Sequence, residues 1–121
     1  MYTALVLDAA SVAALAAAFN TPEGWEELCH HMTLHMGGHK SGKDPELGEG
    51  FELTVVGVGE NPHGNCRAVA VVTDCPSKNA QKHVTLCVNR AQGGKPFFSN
   101  KIEKWETTAP IVLHGTVQEC A

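Results

Sequence analysis

Residues 30 to 36 read HHMTLHM, and residues 82 to 89 read KHVTLCVN. In a β-strand, side chains two apart share a face. Strand alternation therefore puts Met32, Leu34 and Met36 on one side of the first stretch and His31, Thr33 and His35 on the other. The second stretch divides in the same way, with Val84, Leu86 and Val88 opposite His83, Thr85 and Cys87. Both read as strands that bury an apolar row and turn a His-x-Thr pair away from it. As neighbours in one sheet they would bring two imidazoles and two hydroxyls together.

The segments around these strands set the fold class. TALVL at 3–7 is a short apolar strand, and the Ala-rich run from Asp8 to Phe19 is a helix, with Asp8 or Ser11 at its start and Asn20-Thr21-Pro22 at its stop. FELTVVGVG at 51–59 and CRAVAVVTD at 66–74 alternate around the turn-forming ENPHGN and predict an antiparallel hairpin. PFFSNKIEKW at 96–105 predicts a second short helix, and IVLHGTV at 111–117 a last strand. The Gly- and charge-rich HKSGKDPELGEG at 39–50 predicts an exposed, mobile loop. Two sets of strands with one helix each predict a small α+β fold of pseudo-repeated halves with antiparallel pairing.

A chain of 121 residues, 43% apolar and 18% charged, suits a single domain over 1–121 with its own core. The net charge of −4 argues against broad binding to a nucleic-acid backbone, which needs clustered Lys and Arg. Five cysteines, Cys29, Cys66, Cys75, Cys87 and Cys120, are odd in number and contain no C-x-x-C pair. That favours a reducing, cytoplasmic setting over a disulfide framework or zinc ribbon. Asp8 precedes the apolar stretch 9–19 and no Lys or Arg lies before it, so it reads as a helix of the mature fold rather than a targeting core. No stretch approaches the roughly 20 apolar residues of a bilayer span, and no membrane partner is expected.

The chemistry suited to two His-x-Thr pairs is phosphoester cleavage by paired proton transfer. One neutral imidazole takes a proton while one imidazolium gives one, and histidine does both because its ordinary pKa, about 6.5, lies near working pH. Thr hydroxyls donate to phosphate oxygens, and no metal or other cofactor is required. A metal-dependent hydrolase is the competing reading, since His30, His31, His35 and His39 fall within ten residues and could coordinate zinc. The absence of Asp or Glu within the motif, the β-branched Thr33 and the alternating apolar residues weigh against it. His30 is expected on the far side of its strand, His35 as a pocket neighbour, and Lys43 with Lys40 as loop cations able to meet a phosphate. His114-Gly115-Thr116 in the last strand is a third formal match, assigned to structure.

HMTL at 31–34 and HVTL at 83–86 resemble the paired H-x-[ST]-hydrophobic signatures of the two-histidine (2H) phosphoesterase superfamily. The extended forms HHMTLHMG and KHVTLCVN look most like its compact "Swiss Army knife" RNA-repair-like branch. The resemblance implies His31 and His83 as the acid–base pair and Thr33 and Thr85 as phosphate-binding residues, in two strand and helix lobes around a central groove. It further implies a 2′,3′-cyclic phosphate RNA end or a small cyclic nucleotide as substrate, and an RNA ligase or repair protein as partner. The stretch 74–82 has no helix where the second lobe would carry one, which places the substrate contacts outside the carried-over pattern. A pocket that binds nucleotides or RNA ends without turnover is the alternative from another class.

Overall fold

The computed structural model describes residues 1–121. Seven strands form one antiparallel sheet: β1 (Tyr2–Leu7), β2 (Glu26–Glu27), β3 (His31–Met36), β4 (Gly50–Glu60), β5 (Cys66–Val72), β6 (His83–Val88) and β7 (Glu106–Cys120). Their spatial order is β2-β6-β5-β4-β7-β1-β3. One helix, α1 (Ala9–Ala18), and two 3-10 helices, Arg90–Gln92 and Pro96–Lys101, complete a strand-rich α+β fold. The carboxylate of Asp8 accepts from Ser11 N at 2.8 Å and caps α1, while Ser11 Oγ accepts from His114 N and ties the helix to β7.

The passage from β2 to β3 brings the two ends of the sheet together. β2 pairs with β6, and the pairing continues past it through Leu28 N to Leu86 O and Cys29 N to Thr85 O. One residue later the chain changes partner: His30 O accepts from Leu7 N, and β3 pairs with β1. Cys29 makes the change possible with φ +49°, the small left-handed region that allows a sharp change of direction. A single run of chain thus borders β6 with its first part and β1 with its second, so β3 and β6 come close although they stand apart in strand order.

The apolar rows read from the sequence fill the interior. Met32, Leu34, Val84 and Leu86 join Leu5, Leu15, Leu53, Val55, Val69 and Leu113 in one buried cluster. Met36 departs from its row and is 75% exposed. A bulge explains this, because Thr3 pairs with His35 and Ala4 with Thr33, which leaves Leu34 as the extra residue. Cys87 also departs: expected beside His83 and Thr85, it is 2% exposed and packed in the core.

The helix expected over 96–105 is instead a 3-10 helix over Pro96–Lys101, followed by extended chain. Pro96 starts the turn, and the next residues, Phe97, Phe98, Ser99 and Asn100, are indifferent helix formers. Ile102 and Trp105 pack against Gly59, where an added Cβ would lie 2.6 Å from Ile102 Cγ2. That close approach holds 102–105 extended. The preceding 3-10 turn, Arg90–Gln92, is anchored by Asn61 and Asn65, whose side chains bond each other, with Asn65 donating on to Gln92 O. Gly94 touches the backbone of Asn65 and Asn89 with no room for a Cβ.

The loop expected to be mobile is exposed but internally bonded. Asp44 Oδ2 accepts from Lys40 N and from His35, and His39 Nε2 donates to Pro45 O.

Candidate active site

β3 and β6 present their His-x-Thr pairs to one cavity of about 520 Å³, lined by His31, Thr33 and His35 from one strand and His83 and Thr85 from the other. The convergence follows from the strand change at Cys29, which carries β3 across to β6. Lys78 and Asn79 enter from the loop after β5. This loop covers the free edge of β3, with Ser77 Oγ donating to Thr33 O and Lys78 N to Leu34 O, both at 2.7 Å. The Pro96–Lys101 turn supplies Phe97, Ser99 and Asn100 on the far wall.

His31 is partly buried between two aromatic neighbours. Its Nδ1 lies 2.9 Å from Nδ1 of His30, and the Tyr2 ring is 5.0 Å away. Burial, then the neighbouring His30 and His83, push its pKa down to about 4. At neutral pH it is therefore uncharged, and since one of two facing nitrogens must carry the proton, the pair has one donor and one acceptor. Nε2 of His31 has no protein partner. His30 lines the cavity too, contrary to the expectation that it lies behind the strand. Strand alternation does not extend back to it, because β3 begins at His31 and Cys29 turns the backbone.

His83 is 7% exposed and fully engaged. Its Nδ1 donates to Gln81 O at 2.7 Å, its Nε2 lies 2.9 Å from Ser99 Oγ, and Trp105 stacks 6.5 Å from the ring. Burial lowers its pKa, opposed by the bond to Gln81 O. Thr85 Oγ1 donates to Ser99 Oγ at 3.0 Å. Ser99, which nothing in either motif marks, joins the second His-x-Thr pair to the turn.

His35 has both ring nitrogens on acceptors, Met36 O at 3.0 Å and Asp44 Oδ2 at 2.7 Å. Two acceptors require two N–H groups, so the ring is an imidazolium in this arrangement. Its pKa is raised by the backbone bond to Met36 and by Asp44. Asp44 is lowered: partial burial works against the charge, but His35 and the Lys40 amide outweigh it.

Lys43 is not among the lining residues; the lysine that lines the cavity is Lys78. The expectation for Lys43 rested on its place in a Gly-rich loop after the first motif. The chain instead folds 37–50 toward Asp44 and leaves Lys43 exposed. None of the chain's 13 Asp and Glu residues lines the cavity. His30, His31 and His35 line the cavity and His39 does not, and the four are not placed as a ligand set. His35 is held by Asp44 and His39 by Pro45 O, and no group of three or more His, Cys, Asp or Glu side chains is placed to hold a metal ion.

The third His-x-Thr match, His114 and Thr116, lines a separate concavity of about 540 Å³ together with Asp8 and Glu52. Two carboxylates there oppose an anion, and no second imidazole faces His114. No family model, curated protein or solved structure matches the chain.

Proposed function

We propose that the chain is a metal-independent phosphodiesterase that hydrolyses a cyclic phosphodiester, a 2′,3′-cyclic phosphate RNA end or a small cyclic nucleotide, with His31 and His83 as the proton-transfer pair. The observation that carries this reading is the meeting of the two His-x-Thr pairs in a cavity free of carboxylates, in a chain whose net charge is −4. Such a lining favours an anion. Thr33 offers its hydroxyl to a phosphate oxygen, and Thr85 does so when its proton turns from Ser99 Oγ to the ligand. Lys78 supplies positive charge, while the charge of His35 is balanced by Asp44. Phe97, 57% exposed at the rim, offers a face on which a base stacks.

In the reaction, one neutral imidazole takes a proton from water as its oxygen attacks phosphorus. The bond from phosphorus to one ribose oxygen breaks, and the other ring, as imidazolium, gives that oxygen its proton. The product is a phosphomonoester, and solvent restores the two protonation states. The same reading takes the two motif strands as the facing walls of a groove between pseudo-repeated lobes of the two-histidine kind, and takes an RNA ligase or repair protein as partner. It places the chain in the cytoplasm, in keeping with five free thiols; no helix is long and apolar enough to cross a membrane.

A panel of cyclic and linear phosphodiesters, assayed with and without chelator, tests this. Conversion of a cyclic phosphate to a monoester at an unchanged rate in chelator supports the proposal. Binding without product over long incubation would instead identify a nucleotide-binding module, and activity lost in chelator and restored by zinc a metal-dependent hydrolase.

A further inference from the structure

The oxygen of Ser99 is the most heavily engaged polar atom in the cavity wall. It lies 2.9 Å from His83 Nε2, 3.0 Å from Thr85 Oγ1 and 2.8 Å from Pro96 O. A hydroxyl has one proton to give and two lone pairs, so these three bonds are its full complement. Pro96 O only accepts, which makes Ser99 the donor there. Ser99 must then accept from both Thr85 and His83. His83 Nδ1 already donates to Gln81 O, so all four bonds form together only when His83 carries a proton on each nitrogen.

Loss of that proton breaks the set. With His83 neutral and its remaining proton held at Nδ1 by Gln81 O, Nε2 becomes an acceptor. Ser99 then turns its single proton to Nε2 and abandons Pro96 O, or keeps Pro96 O and leaves Nε2 without a donor. Either choice costs one hydrogen bond that the imidazolium form keeps. With both lone pairs occupied by donors, Ser99 Oγ is also unsuited to act as a nucleophile.

We infer that Ser99 is a positioning residue whose hydroxyl accepts the Nε2 proton of His83 in the absence of substrate and so favours the imidazolium form. His83 is then the acid, turning that proton from Ser99 to the leaving oxygen when substrate is bound, and His31 the base of the pair. This rests on the proposed proton-transfer role for the two histidines. The asymmetry agrees with their surroundings. His31 has His30 at one nitrogen and no protein partner at the other, the arrangement of a neutral ring free to take a proton. His83 alone has a hydroxyl oxygen at Nε2.

The other charged and titratable groups around His83 do not supply this bias. His30, His31, His35 and Lys78 share the cavity and are all basic. Lys82, next in the chain, sends its ammonium to Thr73 O at 2.9 Å. On β5 the residue opposite His83 is Ala70, and on the turn Lys101 is exposed. Burial and basic neighbours oppose the proton; Ser99, and a phosphate in the cavity, favour it.

The test is an NMR titration of the imidazole signals of His83 and His31 in the full chain and in Ser99→Ala, without ligand. Removing the hydroxyl should lower the His83 midpoint by about one pH unit, because a bond to a charged ring is worth more than one to a neutral ring. His31 should hold its own midpoint. The limb of the pH–rate profile that reports the acid should move down with His83. An unchanged or raised His83 midpoint in folded Ser99→Ala overturns the inference, even if His31→Ala and His83→Ala abolish activity. A lowered midpoint in a chain that hydrolyses no phosphodiester leaves the Ser99 coupling standing and removes the function proposed for it. Should Ser99→Ala not fold, the nearly isosteric Ser99→Cys decides: its weaker acceptor should shift His83 the same way by less, and no shift overturns the inference.

Discussion

His30 and His31 face each other through their Nδ1 atoms at 2.9 Å, with their rings nearly perpendicular at 80°. Adjacent residues of a regular strand point to opposite faces, so this contact exists only because the chain turns at Cys29. It pairs the two rings as one donor and one acceptor and leaves Nε2 of His31 without a protein partner. Replacing His30 by Ala should raise the His31 pKa from about 4 toward its ordinary value, since the change removes burial and a like charge together. Turnover should fall, but by less than the roughly 10² to 10⁴ expected for loss of a proton-transfer group itself. NMR titration of His31 beside steady-state rates checks both.

A buried neutral histidine also leaves a mark on stability. The folded pKa of His31 is about 4, below the ordinary value near 6.5, so the unfolded chain binds the proton more readily. Above pH 6.5 neither state is protonated and nothing is lost. As pH falls from 6.5 to 4 the folded state is progressively disfavoured, by at most about 3 kcal/mol from this residue. His83 acts in the same direction. Urea unfolding at pH 7 and pH 4.5 should show this loss, and His31→Gln should reduce it.

Lys78 and Lys43 separate by position. Lys78→Ala should weaken binding of a phosphate-bearing ligand by roughly three- to tenfold, an effect that shrinks as salt is added because the residue is exposed. Lys43→Ala should leave affinity unchanged. Calorimetric titration with a nonhydrolysable cyclic nucleotide analogue at two salt concentrations distinguishes them.

Asp44 organises the 37–50 loop through His35. Asp44→Asn should let the His35 pKa fall back toward its ordinary value. A raised folded pKa stabilises fully below the unfolded value, and the contribution disappears as pH rises through the folded value. The stability gap between wild type and Asp44→Asn should therefore be widest near pH 6 and narrow at higher pH. Faster amide exchange at Lys40 and Lys43 in the variant would accompany it.

The long periodic segments were legible in the chain. Alternation located β3, the β4 and β5 hairpin and β6, apolar runs located β1 and the centre of β7, and Ala content with Asp8 or Ser11 as cap located α1. Alternation also carried His31, Thr33, His35, His83 and Thr85 to one side of their strands, and all five line the cavity. It misled where a bulge or kink intervenes. Met36 emerges after the bulge at Leu34, and His30 swings forward at Cys29. β7 runs from Glu106 rather than 111, because Thr107 and Glu106 still pair with Gly57 and Val58 beyond the bulge in β4.

Ser99, Lys78 and Asn79 were not legible, since each reaches the cavity through a loop anchored by long-range bonds. Ser77 to Thr33 O spans 44 positions and Asn65 to Gln92 O spans 27. No local pattern encodes such anchors. A serine three residues after a proline carries no signal until the turn is seen folded onto His83.

The most direct test of the central claim follows a 2′,3′-cyclic nucleotide, in chelator, with wild type, His31→Ala, His83→Ala and the double variant. The account predicts monoester formation by wild type and losses of about 10² to 10⁴ in each single variant. The double variant should lose less than the product of those losses, because the two rings act in one step. Wild-type rates in either single variant, or no product from wild type, would contradict it.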